Sequence, residues 1–104
     1  MDIYRISVSD LAKQDIKDVA THITYELQEP AIAMKTTNAI LDAIFTLEEM
    51  PERIGYVKDE RLAGKGVRPL YVNNYTIFFR IEESERVVDI VRVMYSRRNW
   101  ATLL

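Results

Sequence analysis

Among its 104 residues the chain has no cysteine, one histidine, one tryptophan, three glycines and three prolines. Without cysteine there is neither a disulfide framework nor a thiolate metal site, which suits a reducing compartment. The lone His22 has no His-Glu-x-x-His motif and no carboxylate cluster at ligand spacing around it. Neither a metal nor a cofactor is therefore expected. A Ser-His-Asp constellation would have to run through His22, and no Gly-x-Ser-x-Gly motif is present. Leu62-Ala63-Gly64-Lys65-Gly66 lacks the spacing and the Lys-Ser/Thr pair of a phosphate loop. No apolar run approaches the roughly 18 residues of a membrane span. Residues 1–10 lack the basic start and apolar stretch of a signal peptide. The expectation is a soluble cytoplasmic protein with no membrane partner.

Charge of one sign is also lacking: the net is −2. Its distribution is uneven. Residues 1–52 carry 4 Lys+Arg against 10 Asp+Glu, a balance of −6, whereas residues 53–104 carry 10 against 6, a balance of +4. Most of the basic residues in the second half are arginines, whose forked donors fit phosphates and carboxylates. A basic half of this kind suits RNA or an acidic protein, or it is ordinary charge scatter.

What is present reads as one domain spanning residues 1–104. Residues 3–8 have strand character, and Ser9 or Asp10 can cap a helix. From Leu11 the pattern is helical, with Leu11, Ile16, Val19, Ala20, Ile23 and Leu27 on one face. Pro30 ends that helix and opens a second one, which carries Ile32, Ala33, Thr36, Ala39, Ile40, Ala43, Ile44 and Leu47 and stops near Met50-Pro51. Residues 51–66 show no clean period and read as a loop. Three strands follow, over 67–72, 75–82 and 87–95, joined by turns at Asn73-Asn74 and Glu83-Ser84-Glu85. The order β-α-α-β-β-β predicts an α+β fold with a helix hairpin on one face of a small antiparallel sheet.

Two helices cover only one face of such a sheet. Alternation puts Tyr75, Ile77, Phe79 and Ile81 toward them and leaves Phe78, with Leu70 and half of the last strand, on the other face. An apolar face without cover marks a partner, unless Trp100 and the residues after it fold back over it. Leu70, Phe78 and Trp100 are thus the expected partner-binding residues. The chain ends in Val-Arg-Val-Met-Tyr-Ser-Arg-Arg-Asn-Trp, residues 91–100, where arginines gather around a tyrosine. Arginines can hold a scissile phosphate, and a tyrosine can relay a proton or stack on a base. Arg80, Arg92, Tyr95, Arg97 and Arg98 are the candidate catalytic residues, with Arg68 and Lys65 binding substrate. Strict alternation sets Tyr95 opposite Arg92, so that only a bulge or the strand end would bring it round.

Three segments carry a resemblance to a known family: LEEMPERIG (47–55), VRPLYVNNYTIFFRIEE (67–83) and VVDIVRVMYSRRN (87–99). Together they resemble the RelE/ParE superfamily, toxins of bacterial type II toxin–antitoxin pairs. The resemblance implies a small α+β toxin that inhibits growth and forms a hetero-oligomer with a cognate antitoxin covering its open sheet face. It implies one of two activities: metal-independent cleavage of mRNA on the ribosome, as in RelE-like and YoeB-like members, or poisoning of DNA gyrase, associated with ParE-like members. Tyr95 matches the C-terminal tyrosine of the RNA-cutting members. Met94 stands where those members have a catalytic histidine, and Thr76 where they have an arginine. The end of the chain and the long hairpin are more similar to the ParE-like branch. Cleavage of mRNA is the first expectation because the Arg–Tyr cluster offers a concrete chemistry. Gyrase poisoning and a catalytically inactive, antitoxin-binding member are the alternatives.

Overall fold

The computed structural model describes residues 3–97 and 104. Strand β1 (Arg5–Val8) runs into Ser9, which caps helix α1 (Asp10–Thr21). The Ser9 hydroxyl accepts the Ala12 N–H at 3.0 Å and donates to the Val91 carbonyl at 2.8 Å, so the cap also ties the helix start to the last strand. A π-helical turn, His22–Glu26, extends α1. Helix α2 (Pro30–Phe45) begins with Pro30 in its first turn, where a missing N–H costs nothing. Two 3₁₀ turns, Thr46–Glu48 and Pro51–Arg53, and the short helix α3 (Glu60–Ala63) lead to β2 (Arg68–Val72), β3 (Tyr75–Glu82) and β4 (Val87–Tyr95).

The four strands form one sheet in the order β1-β4-β3-β2. β2–β3 and β3–β4 are antiparallel hairpins, as the turn residues predict. β1, however, lies parallel to β4, with Arg5 opposite Val87 and Val8 opposite Ile90, so the sheet is mixed rather than wholly antiparallel. The reason lies in residues 46–67. This long connection brings the chain back so that β2 enters in the direction of β1, and two antiparallel pairings later β4 has that direction again.

Helices α1 and α2 cover one face of the sheet. The core between the layers contains Ala12, Val19, Ile23, Ile40 and Ile44 from the helical side and Ile77, Phe79, Val88, Ile90 and Val93 from the strands. The buried face of α1 is narrower than its apolar pattern suggests. Ala12, Asp15 and Val19 point inward, whereas Leu11 is exposed.

The other face of the sheet is not open at its centre. Residues 57–67 cross it and bury Val57, Leu62 and Val67 against Phe78 and Met94, with Leu104 packed alongside. Phe78 is 0% exposed. This corrects its expected place on a partner surface: its ring is core, and burying one such side chain stabilises the fold by roughly 1.5–3 kcal/mol. Leu70 is corrected as well. It pairs with Ile77 and packs against the helix-side core. Trp100 lies outside the described residues.

A β-bulge explains why alternation misplaces the end of β4. Phe79 pairs with Ile90 and Phe78 with Arg92, leaving Val91 as the extra residue. Val88 and Ile90 face the helices before the bulge, and Val93 faces them after it. Tyr95, two residues further along, pairs with Tyr75 on that same side.

Candidate functional site

Strand β1 ends at Val8, and beyond Ile90 no strand among the described residues pairs with β4 on that side. Asp15 of α1 fills the gap. Its Oδ2 accepts the Val93 N–H at 2.9 Å and Arg92 Nε at 2.8 Å, and its Oδ1 accepts Arg92 Nη2 at 2.9 Å. Both carboxylate oxygens are engaged, and the guanidinium fork is met in the two-pronged geometry that suits it. The hydrogen bond to Asp15 raises the pKa of Arg92 and outweighs the opposing effect of burial. Arg92 is therefore committed through Nε and Nη2 to a partly buried ion pair within the fold, which corrects its assignment as a candidate catalytic residue. Asp15 went unnoticed in the sequence. Its only signal is a carboxylate on the apolar face of a helix, between Ala12 and Val19.

At the far end of β4, Tyr95 is 43% exposed and meets Tyr75 edge to face, with ring centroids 5.8 Å apart at 78°. Burial is the main cause, and Tyr95 a second one, of a raised pKa at the Tyr75 hydroxyl. The turn after β4 is pinned to the β2–β3 turn, since Ser96 N–H donates to the Asn74 carbonyl at 2.8 Å. The hydroxyls of Ser96 and buried Thr76 are also hydrogen-bonded, at 2.8 Å. Tyr95 borders a groove of about 590 Å³ between the tip of the helix hairpin and the ends of β3 and β4. Val19 and Ile23 form its floor together with Val93, and Leu27 and Ile32 stand at its rim.

Of the remaining candidates, Arg80, Lys65 and Arg68 lie away from Tyr95. Arg80 is exposed near the opposite end of β3. It lies five residues from Tyr75, roughly 16 Å along the strand, and on the other face of the sheet from Tyr95. Lys65 is exposed on the turn that ends α3. The next residue, Gly66, has φ +84°, and a Cβ there would stand 4.0 Å from Arg80 Nε, so this turn and Arg80 are neighbours. Arg68 stacks on Tyr56, its guanidinium carbon 4.1 Å from the ring centroid, and donates to the Ile54 carbonyl. Arg97 is exposed just beyond Tyr95, and Arg98 lies outside the described residues. Arg97 is near Tyr95 by its place in the chain, two residues on, and Arg68, Arg80 and Lys65 lie elsewhere. Among the described residues no three His, Cys, Asp or Glu side chains are grouped to hold a metal ion. His22 instead meets Glu26 at 2.6 Å, one turn along. No described helix is long and apolar enough to cross a membrane.

Solved structures share this architecture. A chain of the chromosomal ParDE system from P. aeruginosa superposes with a TM-score of 0.74 at 19% identity, covering 89% of this chain and 96% of that one. A chain of the RelBE2 toxin–antitoxin complex from Mycobacterium tuberculosis gives 0.66 at 22% identity, covering 91% and 93%. A mutant E. coli toxin RelE in the free state gives 0.67 at 10% identity, covering 97% and 92%. At these identities the likeness is one of fold. A search of curated proteins finds no match. The family is shown by the sequence: residues 6–100 match the ParE toxin of the type II toxin–antitoxin system parDE, and the chain belongs to that family.

Proposed function

We propose that this toxin acts by binding its target, DNA gyrase, rather than by cutting RNA, and that a protein antitoxin neutralises it in the cytoplasm. One observation carries the reading: Arg80 and Arg92, which a metal-free nuclease would gather with Tyr95 around its scissile phosphate, are not gathered there. Arg92 is engaged with Asp15, and Arg80 sits on the other face of the sheet from Tyr95. Met94 is buried at the position where RNA-cutting relatives have a histidine, and Thr76 is buried and bonded to Ser96 where they have an arginine. A proton-transfer residue must reach the group it serves, and neither of these can. The family match to ParE points the same way.

Cleavage of mRNA is the second reading. It is favoured by one feature, the exposed Tyr95 with Arg97 two residues on. Purified toxin added in parallel to a gyrase supercoiling assay and to a cell-free translation reaction separates the two. Trapped gyrase–DNA complexes with intact mRNA are the expected result. Cut mRNA that disappears with Tyr95→Phe would reverse the assignment.

A further inference from the structure

We propose that two copies of this chain associate through the outer flank of α2, about a two-fold axis that sets the two helices antiparallel. The proposal does not rest on the gyrase reading. It assigns a surface, and an occupant for it, that this reading leaves unused.

The surface is a stripe. Met34, Leu41 and Phe45 are 67%, 40% and 57% exposed. Their spacings of seven and four, with Asn38 between, put them in line along one side of the helix. They are not its core face, which is Ala33, Ile40 and Ile44. Nor do they belong to the groove beside Tyr95. Ile32 and Thr36, which line that groove, are each two residues from Met34, roughly 160° away round the helix. Single exposed apolar residues need no explanation, but three large ones aligned on one helix mark a contact.

The two ends of the stripe fit each other, and this selects a second copy as the occupant. At the C-terminal end Phe45 borders a notch of about 320 Å³, with Ile3, Thr46, Glu48 and Glu49. At the N-terminal end stands Met34, whose unbranched thioether fills irregular apolar gaps and packs against aromatic rings. Turned head to tail, each copy sets its Met34 at the Phe45 notch of the other. A patch that is both knob and hole is self-complementary, as a two-fold interface requires.

Charge fixes the direction. Lys35 and Asp42 lie two turns apart on the same border of the stripe. Neither makes an ion pair or a side-chain hydrogen bond among the described residues. In the antiparallel pair each Lys35 lies beside Asp42 of the other copy, so the attraction is made twice. The exposed Glu49 at the notch adds to it. In a parallel pair Lys35 would meet Lys35 and Asp42 would meet Asp42. The stripe is only roughly 16 Å long, so the contact falls short of the roughly 800 Å² per partner of a standard interface. The dimer is therefore one that forms and dissolves with concentration.

Sedimentation velocity of the full chain over a hundredfold range of concentration tests this. The 12.1 kDa species is expected to pass into one of twice that mass and no further. Met34→Asp and Phe45→Asp each raise the midpoint concentration at least tenfold, whereas Leu11→Asp, on the exposed side of α1, leaves it unchanged. Lys35→Asp and Asp42→Lys each weaken association, and the two together in one chain restore it. Cross-linking reports the direction, because the chain has no cysteine of its own. Asn38→Cys, close to the axis, is expected to oxidise to a disulfide dimer. Met34→Cys is not, since its two copies lie roughly 16 Å apart in the antiparallel pair. Circular dichroism checks that each variant is folded. A monomer at every concentration overturns the proposal, as does association indifferent to Met34→Asp and Phe45→Asp, or a disulfide in Met34→Cys. Hydrogen-exchange protection of the stripe that appears only in the toxin–antitoxin complex assigns it to the antitoxin and overturns the proposal too. None of these results bears on the gyrase assay, so the two readings fail separately.

Discussion

Asp15 and Arg92, far apart in the chain, meet through two hydrogen bonds of 2.8 and 2.9 Å, while Asp15 also takes the backbone N–H of Val93. A helix side chain thereby does the work of a missing strand at the end of the sheet. Removing one partner of such a pair leaves the other charge buried without compensation, at a cost of about 3–5 kcal/mol. Asp15→Ala should lower the melting temperature by more than about 12 °C, at about 4–8 °C per kcal/mol for a domain of this size. Arg92→Ala should cost a similar amount, and the double variant clearly less than the two together. Thermal unfolding followed by circular dichroism gives all three values.

A toxin that works by docking tolerates the loss of a proton donor. Tyr95→Phe and Arg80→Ala should each leave growth inhibition within about twofold of the parent, since removing a general acid or base costs a nuclease about 10²–10⁴-fold. Titrating toxin expression from a graded promoter measures the effect. A hundredfold loss in Tyr95→Phe would restore the nuclease reading.

Phe78 serves the fold rather than a partner. Truncating it under Val57, Leu62, Val67 and Met94 leaves a cavity, and Phe78→Ala should destabilise by about 3–5 kcal/mol. Guanidinium denaturation should show a lower midpoint, with the slope kept.

The Tyr75 hydroxyl titrates above the ordinary tyrosine value of about 10 because burial disfavours its anion, with Tyr95 adding to the effect. The folded state thus prefers neutral Tyr75. Its contribution to stability is complete below that ordinary value and is lost as pH rises through the raised one. Absorbance at 295 nm should resolve a late-titrating tyrosine. Tyr95→Phe should bring its midpoint part of the way down, because burial, the larger cause, remains.

Much of the fold is legible in the sequence. The bounds of β3 and β4 follow from alternation and the two turns between apolar runs, and the helix break follows from Pro30. Three features are not, each for a physical reason. The bulge at Val91 leaves no trace because both alternating sets of β4 are mostly apolar, so neither parity looks wrong. The cover over Phe78 escapes because Val57, Leu62 and Val67 lie five apart, a spacing that belongs to neither helix nor strand. The parallel course of β1 depends on which way residues 46–67 carry the chain, and local pattern does not encode that. As for the site, arginine clustering in sequence did not become clustering in space. Arg92 is claimed by Asp15 and Arg68 by Tyr56, while the groove rim at Leu27 and Ile32 read as ordinary helix core.

Because β1 pairs with β4, the first strand synthesised finds its partner only in the last. β4 is also an inner strand, bonded to β3 on its other side, so the helix hairpin has no finished sheet to pack on until residues 87–95 have left the ribosome. Pairings this remote in sequence must close a long loop before they gain anything, and they slow folding. A truncated or stalled product of this toxin therefore lacks the central strand as well as its C-terminus. Whatever depends on the folded sheet therefore waits until β4 has been made.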